Sequence, residues 1–204
     1  MTSIILTKTH LYADQQTSAD RGETHQCRDC HSPNVLRVRQ KDHSKIVIPE
    51  VDVMYRGSRI LAIASAGNAM LIKKCTDLIL KGECPIKTIR NFKALFDHKV
   101  DKLCTMLVVT EDKVHRLAIS PTRVEGGTVK DYPVIIGSGA PIGRVVAKLF
   151  PGIKPLKLMS TMIAHDPSTG VAVDKLKYRS KNRVIQHLHL EDLPKPLKDL
   201  KVPK

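Results

Sequence analysis

The feature that most constrains the fold is a run of small and branched apolar residues at 60–66, which follows Arg59 and ends at Gly67. A run of this length without polar alternation indicates a β-strand that is buried on both faces. Apolar residues at helical spacing come next, with Asn68 as an N-cap candidate and Gly82 as a stop. They predict a helix over 68–81, directly after the buried strand.

Strands and helices alternate in groups along the rest of the chain. Strands are expected at 3–7, 11–14, 46–55 with an interruption at Pro49, 103–110, 114–120, 132–139, 171–178 and 182–190, and further helices at 86–97, 141–150 and 156–164. Two helices between groups of strands, twice, favour a layered domain over an alternating βα chain. The predicted fold class is therefore α+β, a four-layer αββα sandwich of two antiparallel sheets.

Composition narrows the class of protein further. The chain has 204 residues and 42% hydrophobic residues, which is enough for one domain with a core, although only 3% are aromatic. No window approaches the roughly 18 apolar residues of a membrane span, and the N-terminus does not have the pattern of a signal peptide. With five cysteines and no such signal, we expect a cytoplasmic protein with reduced thiols and no membrane contact. Cys75, Cys84 and Cys104 are expected in the core.

The chain is strongly basic, with a formal net charge of +14. Such a charge suggests an anionic partner, for example nucleic acid, and the alternative is a solvated basic surface. Basic residues alternate through the last predicted hairpin, at Lys175, Lys177, Arg179, Lys181 and Arg183. Alternation places them on one face of a strand, where they either guard an edge or contact phosphate. With so few aromatic residues, any nucleic-acid binding is expected to tolerate different base sequences.

A Cys/His cluster lies in the polar segment 18–44, at His25, Cys27, Cys30 and His31. Two cysteines at this spacing can hold Zn²⁺ as thiolates, and His25 or His31 can add ligands. The alternative is a loop with free thiols, since the chain has no second Cys-x-x-Cys pair. Zinc in this insertion is the one cofactor that the sequence suggests, and none is expected for catalysis.

Short landmarks from Thr2 to about Leu190 resemble, in their order, those of proteasome β subunits and HslV, which are N-terminal-nucleophile (Ntn) hydrolases. They are Met1-Thr2-Ser3-Ile4, Tyr12-Ala13-Asp14, Lys45-Ile46, Ala64-Ser65-Ala66-Gly67, Ile136-Gly137-Ser138-Gly139, and Ala164-His165-Asp166 with Thr169-Gly170. The resemblance implies an Ntn domain over 1–190, with an inserted loop at about 18–44. Repeated Pro and Lys over 191–204 predict a poorly ordered C-terminal tail.

The resemblance also implies a catalytic set and a peptide or protein substrate. Thr2 would be the nucleophile after removal of Met1, with its own α-amine as the base. A cationic Lys45, held by Asp14, would lower the pKa of that amine. Ser138 and Asp166 would position the amine and its proton, and the backbone N–H of Ala66 or Gly67 would meet the oxyanion.

The expected assembly is a homo-oligomeric ring, with an ATPase or a larger assembly as a further partner. Contacts between subunits are expected from Met70, Leu71, Leu78, Val145, Val146 and Leu149. The alternative function is a catalytically inactive Ntn-fold structural subunit of a larger assembly, which contacts nucleic acid. Three differences from the family favour this alternative: Ala66 stands where the family usually has Gly, Gln15-Gln16 replace its usual polar-Arg pair, and the segment before Lys45 is longer.

Overall fold

The computed structural model describes residues 3–15, 18–19, 24–26, 33–35, 38–39, 45–83, 104–119, 124–166 and 172–197. The strands in these ranges are β1 (Ser3–Leu6), β2 (His10–Asp14), β3 (Ser18–Ala19), β4 (Thr24–Gln26), β5 (Pro33–Val35), β6 (Val38–Arg39), β7 (Ile46–Val47), β8 (Met54–Tyr55), β9 (Ser58–Gly67), β10 (Cys104–Thr110), β11 (Val114–Ile119), β12 (Val124–Thr128), β13 (Val134–Gly137), β14 (Val173–Lys177) and β15 (Ile185–Leu188). The helices are α1 (Ala69–Leu80), α2 (Ala140–Leu149) and α3 (Pro155–His165). The protein is α+β, as predicted.

The first sheet combines the two ends of the chain. Its strand order is β13-β1-β2-β14-β15, and every neighbouring pair is antiparallel. Strand β1 lies between β2 and β13, so that Ile5 pairs with both Tyr12 and Ile135. The N-terminal hairpin therefore occupies the middle of the sheet, with strands from the second half of the sequence on both sides.

The second sheet is built from the middle of the chain. Its order is β12-β11-β10-β9-β7, and β8 also pairs with the start of β9. Strand β9 carries the apolar run from the sequence, and residues 60–66 are all buried. The expectation of a strand covered on both faces is thus confirmed.

Apolar side chains from the two sheets form three clusters. Along β1, Ile4 points into a cluster that also holds Ala64 and Leu107 of the second sheet, whereas Ile5 points into one that holds Val146 of α2 and Met159 of α3. A third cluster joins the second sheet to α1 through residues such as Cys75. Each sheet therefore has one face toward the other sheet and one face toward a helix.

The predicted elements agree with these positions at most points. Asn68 caps α1, because its side-chain oxygen accepts a hydrogen bond from the backbone N–H of Leu71 at 3.1 Å. Strand β12 was not expected, since Gly126 and Gly127 are more typical of a loop. Among the described residues it pairs only with β11, at the edge of its sheet, where a strand needs a single partner. The helix predicted at 86–97 lies outside the described residues.

The C-terminal segment differs from the poorly ordered tail that was expected. Residues 190–192 form a 3-10 turn, and Leu193 is buried. The backbone N–H of Leu197 donates to Thr161 Oγ1 at 3.1 Å, and His165 Nε2 lies 3.2 Å from the carbonyl oxygen of Leu197. Up to residue 197 the chain therefore packs on α3, because two leucines find apolar surface there.

Some residues expected at subunit contacts are part of the protein's own core. Leu71 is 4% exposed and Val146 is fully buried, so neither offers a surface to a neighbour. Leu149 is 59% exposed at the end of α2, beside Phe150. The ring itself stays a prediction. No helix in the described residues is long and apolar enough to cross a membrane.

Gly143 permits the close contact between α2, α3 and β13. A Cβ at this position would lie 2.7 Å from Met162 Sδ and 3.1 Å from Ile135 Cγ2, and Met162 is fully buried. We predict that Gly143→Ala lowers the free energy of unfolding by about 1–3 kcal/mol, because overpacking outweighs the gain in helix propensity. Urea unfolding measures the change.

The matched control is Gly127→Ala in β12, where an added Cβ meets nothing within 4 Å. It should leave stability within about 1 kcal/mol of the original protein, since the methyl group meets no neighbour there. Equal stabilities for the two variants would contradict the packing of α2 described above.

Candidate active site

A fully buried carboxylate, Asp14, lies at the centre of the candidate site. It ends β2, and its Oδ1 accepts a hydrogen bond from the backbone N–H of Ser3 at 2.8 Å. The same oxygen accepts a hydrogen bond from Lys45 Nζ, also at 2.8 Å. Asp14 therefore joins the start of β1 to a lysine that precedes β7 in the other sheet.

Lys45 is held by its backbone as well as by its side chain. Its carbonyl oxygen accepts a hydrogen bond from the N–H of Ser65 at 3.2 Å, next to the pairing of Ile46 with Ala64. The side chain is only 10% exposed. Burial lowers the pKa of Lys45, while the charge and hydrogen bond of Asp14 and the charge of Asp174 act in the opposite direction. The two carboxylates therefore favour the cationic form.

A second pair of polar side chains joins β13 to the end of α3. Ser138 Oγ donates a hydrogen bond to Asp166 Oδ2 at 2.9 Å. Asp166 is the residue that follows α3, and it is 9% exposed. The next residue after Ser138, Gly139, donates its backbone N–H to Ser3 Oγ at 3.2 Å. Ser3 thus links this pair to the pair of Asp14 and Lys45.

The N-termini of two helices follow residues of the candidate site in the sequence. Gly67 ends β9 with a φ of 125°, a conformation that glycine adopts readily, and α1 begins two residues later. Gly139 is the N-cap of α2. Backbone N–H groups at helix N-termini are unpaired within the helix and carry a partial positive charge, so both ends favour a developing negative charge. The methyl group of Ala66 is buried in the cluster between the sheets.

The sequence-predicted site residues fall into two sets. Asp14 and Lys45 form one pair, Ser138 and Asp166 form another, and Ser3 connects them. Ala66 and Gly67 end the strand that pairs with the segment after Lys45. Thr2 directly precedes β1 in the sequence and lies outside the described residues.

A further buried acid, Asp174, was missed by the sequence analysis. It is fully buried in β14, and its Oδ1 accepts hydrogen bonds from Gln15 Nε2 and from His187 Nδ1, the latter at 2.6 Å. Its Oδ2 is buried without a hydrogen-bond partner among the described residues. The signal was available, because Asp174 alternates with Leu176 on the face opposite to Lys175 and Lys177.

The structure describes only one of the four predicted zinc ligands, so their mutual distances are not defined. His25 belongs to β4, which pairs with β5, while Cys27, Cys30 and His31 lie in the connection between these strands, outside the described residues. Within the described ranges, no group of three or more His, Cys, Asp or Glu residues is arranged to hold a metal. Zinc in the insertion stays a prediction.

No protein-family model matches the chain, and no curated protein matches it in sequence. The function must therefore be inferred from the residues of the site.

The contact between Asp14 and Lys45 has a testable energetic consequence. We predict that Lys45→Met lowers the free energy of unfolding by about 3 kcal/mol, because the buried Asp14 loses a cationic partner. The double variant Asp14→Asn/Lys45→Met should recover at least half of the loss. The amide oxygen still accepts the N–H of Ser3, and no unpaired charge remains. Urea unfolding of the original protein, Asp14→Asn, Lys45→Met and the double variant completes the double-mutant cycle.

The control is the exposed cluster of Arg59 with Asp52 and Glu111. Arg59→Met should cost much less than Lys45→Met, because water screens exposed ion pairs. If the double variant loses as much free energy of unfolding as the two single variants together, the side chains of Asp14 and Lys45 are not coupled.

Zinc binding is tested by metal content. If Cys27 and Cys30 hold zinc, the purified protein should carry nearly one equivalent, and Cys27→Ser should release it and expose the insertion to proteases. Cys75→Ser is the control, since this thiol is buried in the core and burial raises its pKa to about 11. The hypothesis is wrong if the purified protein carries no metal and proteases cleave its insertion at the same rate as in Cys27→Ser.

Proposed function

We propose that the protein is a threonine peptidase subunit of a proteasome-like ring, with Thr2 as the N-terminal nucleophile after removal of Met1. The observation that carries the proposal is the network described above. Ser3, Asp14 and Lys45 are joined through one carboxylate oxygen, and Ser3 also binds the turn that holds Ser138. Residues that are far apart in the sequence thereby converge on Ser3, the residue that follows Thr2 in the sequence.

The proposed fold is the four-layer αββα sandwich of Ntn hydrolases. Two antiparallel sheets with apolar side chains on both faces support it, as do the contacts of α1 with one sheet and of α2 and α3 with the other. In this architecture the nucleophile begins the first strand. That location agrees with the position of Thr2 immediately before β1.

The proposed reaction is acyl transfer. The Oγ of Thr2 attacks the carbonyl carbon of the scissile peptide bond, and its proton passes to the α-amine of the same residue. The resulting tetrahedral oxyanion accepts hydrogen bonds from backbone N–H groups near Ala66 and Gly67. The C–N bond then breaks, and the leaving amine takes the proton from the ammonium. Water hydrolyses the Thr2 ester and restores the free enzyme.

Lys45 has an electrostatic part in this reaction. An α-amine has an ordinary pKa of about 8, so that it is mostly protonated at neutral pH and unable to act as a base. A neighbouring lysine cation lowers that pKa through repulsion between like charges. Asp14 supports this role, because its hydrogen bond holds the ammonium of Lys45 and favours its charged form.

The experiment begins with the intact mass of the purified protein, which should lack Met1. An electrophilic peptide inhibitor should then label Thr2, as located by mass spectrometry of the digested protein. Thr2→Ala should abolish peptide cleavage and leave assembly unchanged, because only the nucleophile is lost. Lys45→Ala should reduce cleavage nearly as much, since the amine stays protonated.

The control for the lysine is Lys73→Ala on the exposed face of α1, which should leave cleavage unchanged. Each variant is compared after circular dichroism shows that it is folded at the assay temperature. The peptidase proposal is wrong if the mature protein retains Met1, or if the inhibitor does not label Thr2 in the assembled oligomer. The inactive structural subunit would then be the better proposal.

A further inference from the structure

A basic cavity lies at the end of the first sheet that is remote from Asp14. Its volume is about 240 Å³, and its polar lining consists of His10, Lys175, Lys177, Ser180, Asn182 and Gln186. His10 begins β2 and Asp14 ends it, four residues apart, which corresponds to about 13 Å along a strand. The cavity is therefore separate from the candidate active site.

Strand pairing explains how the basic residues come together. Lys177 is the direct cross-strand partner of His10, and Lys175 is the partner of both Tyr12 on one side and Gln186 on the other. These residues share the face on which Val173 packs toward α2 and α3. Where the helices no longer cover this face, the lysines and the histidine line a recess instead of a core.

The chemistry of the lining favours an anion. Every polar side chain that lines the cavity in the described part of the chain can donate a hydrogen bond, and none is a carboxylate. Lys175 and Lys177 bring positive charge to the lining. The pKa of His10 is lowered, chiefly by burial and then by the charges of Lys175 and Lys177. A bound anion would relieve this repulsion between like charges.

Size and surroundings narrow the choice of anion. The volume is smaller than the roughly 300–1,000 Å³ of sites that enclose drug-sized ligands, so the cavity suits a phosphate group with part of its ester. Arg179 and Lys181 are exposed next to it, in the turn between β14 and β15. They extend the positive surface beyond the cavity, along which further phosphates of a chain can lie.

We propose that this cavity binds a phosphate group, with Lys175 and Lys177 as its cationic contacts and the side chains of Ser180, Asn182 and Gln186 as neutral donors. Two sources share this chemistry, a nucleic-acid backbone and a free phosphate ester. No Phe, Tyr or Trp lines the cavity among the described residues. Bases therefore have no stacking platform here, and binding tolerates different base sequences. The proposal does not depend on peptide hydrolysis.

The first arm of the experiment uses a fluorescent single-stranded oligo-dT of twelve nucleotides, followed by anisotropy over a range of salt concentrations. The slope of log K against log salt should become less steep by roughly 1.4 in Lys175→Gln/Lys177→Gln. Each lysine that contacts a phosphate contributes about 0.7 for single strands.

The matched control is Lys148→Gln/Lys154→Gln, which removes the same charge from exposed lysines near α2 and α3. This control separates a defined site from the general attraction of a chain with a net charge of +14. It should change the slope by clearly less than the Lys175/Lys177 variant.

The second arm titrates the intact protein with inorganic phosphate and follows the imidazole signal of His10 by NMR. Saturable movement of this signal, lost in Lys175→Gln/Lys177→Gln and kept in the control variant, supports the site. If Lys175→Gln/Lys177→Gln also changes the slope for oligo-dT, the phosphate that the cavity binds belongs to a nucleic-acid backbone. If the slope does not change, the ligand is a free phosphate ester. If neither the slope nor the His10 signal distinguishes the two double variants, the proposal is overturned.

Discussion

The arrangement of the candidate site depends on the cost of burying the carboxylate of Asp14. A charge that is fully removed from water must be compensated by hydrogen bonds and by an opposite charge. The donors are the backbone N–H of Ser3 in the neighbouring strand and the ammonium of Lys45 from the opposite sheet. One oxygen atom thereby ties the start of β1 to the end of β2 and links the two sheets through Lys45.

The buried charges around this oxygen are not balanced by lysine alone. Asp14 and Asp174 are fully buried and Asp166 is 9% exposed, whereas the side chain of Lys45 is 10% exposed. Asp174 is partly compensated by Gln15 and by His187, which is 62% exposed. In the proposed mechanism these carboxylates act against Lys45, because negative charges raise the pKa of an α-amine.

The periodicity of apolar residues predicted much of the fold, but it could not predict which strands pair over long distances in the sequence. The buried strand before α1 and the two helices after β13 follow from local apolar patterns, which report burial directly. Strand β12 was missed because a strand at the edge of a sheet tolerates Gly126 and Gly127 where a central strand would not. For the site, the resemblance identified Asp14 and Lys45, whose contact spans 31 positions of sequence. Asp174 was missed because its strand was judged by its lysines, whereas Asp174 and Leu176 lie on the opposite face and are both fully buried.

The strand order of the first sheet has a consequence for synthesis on the ribosome. Residues 46–128 contain all the strands of the second sheet, so that this sheet can form as soon as its segment has emerged. The hairpin of β1 and β2 comes out earlier, yet β13 begins at residue 134 and β14 at residue 173. Until then the hairpin has two unpaired edges and an apolar face on each side, which makes it prone to aggregate with other nascent chains. During synthesis, the segment that begins with the proposed nucleophile is thus the one that a chaperone would need to protect.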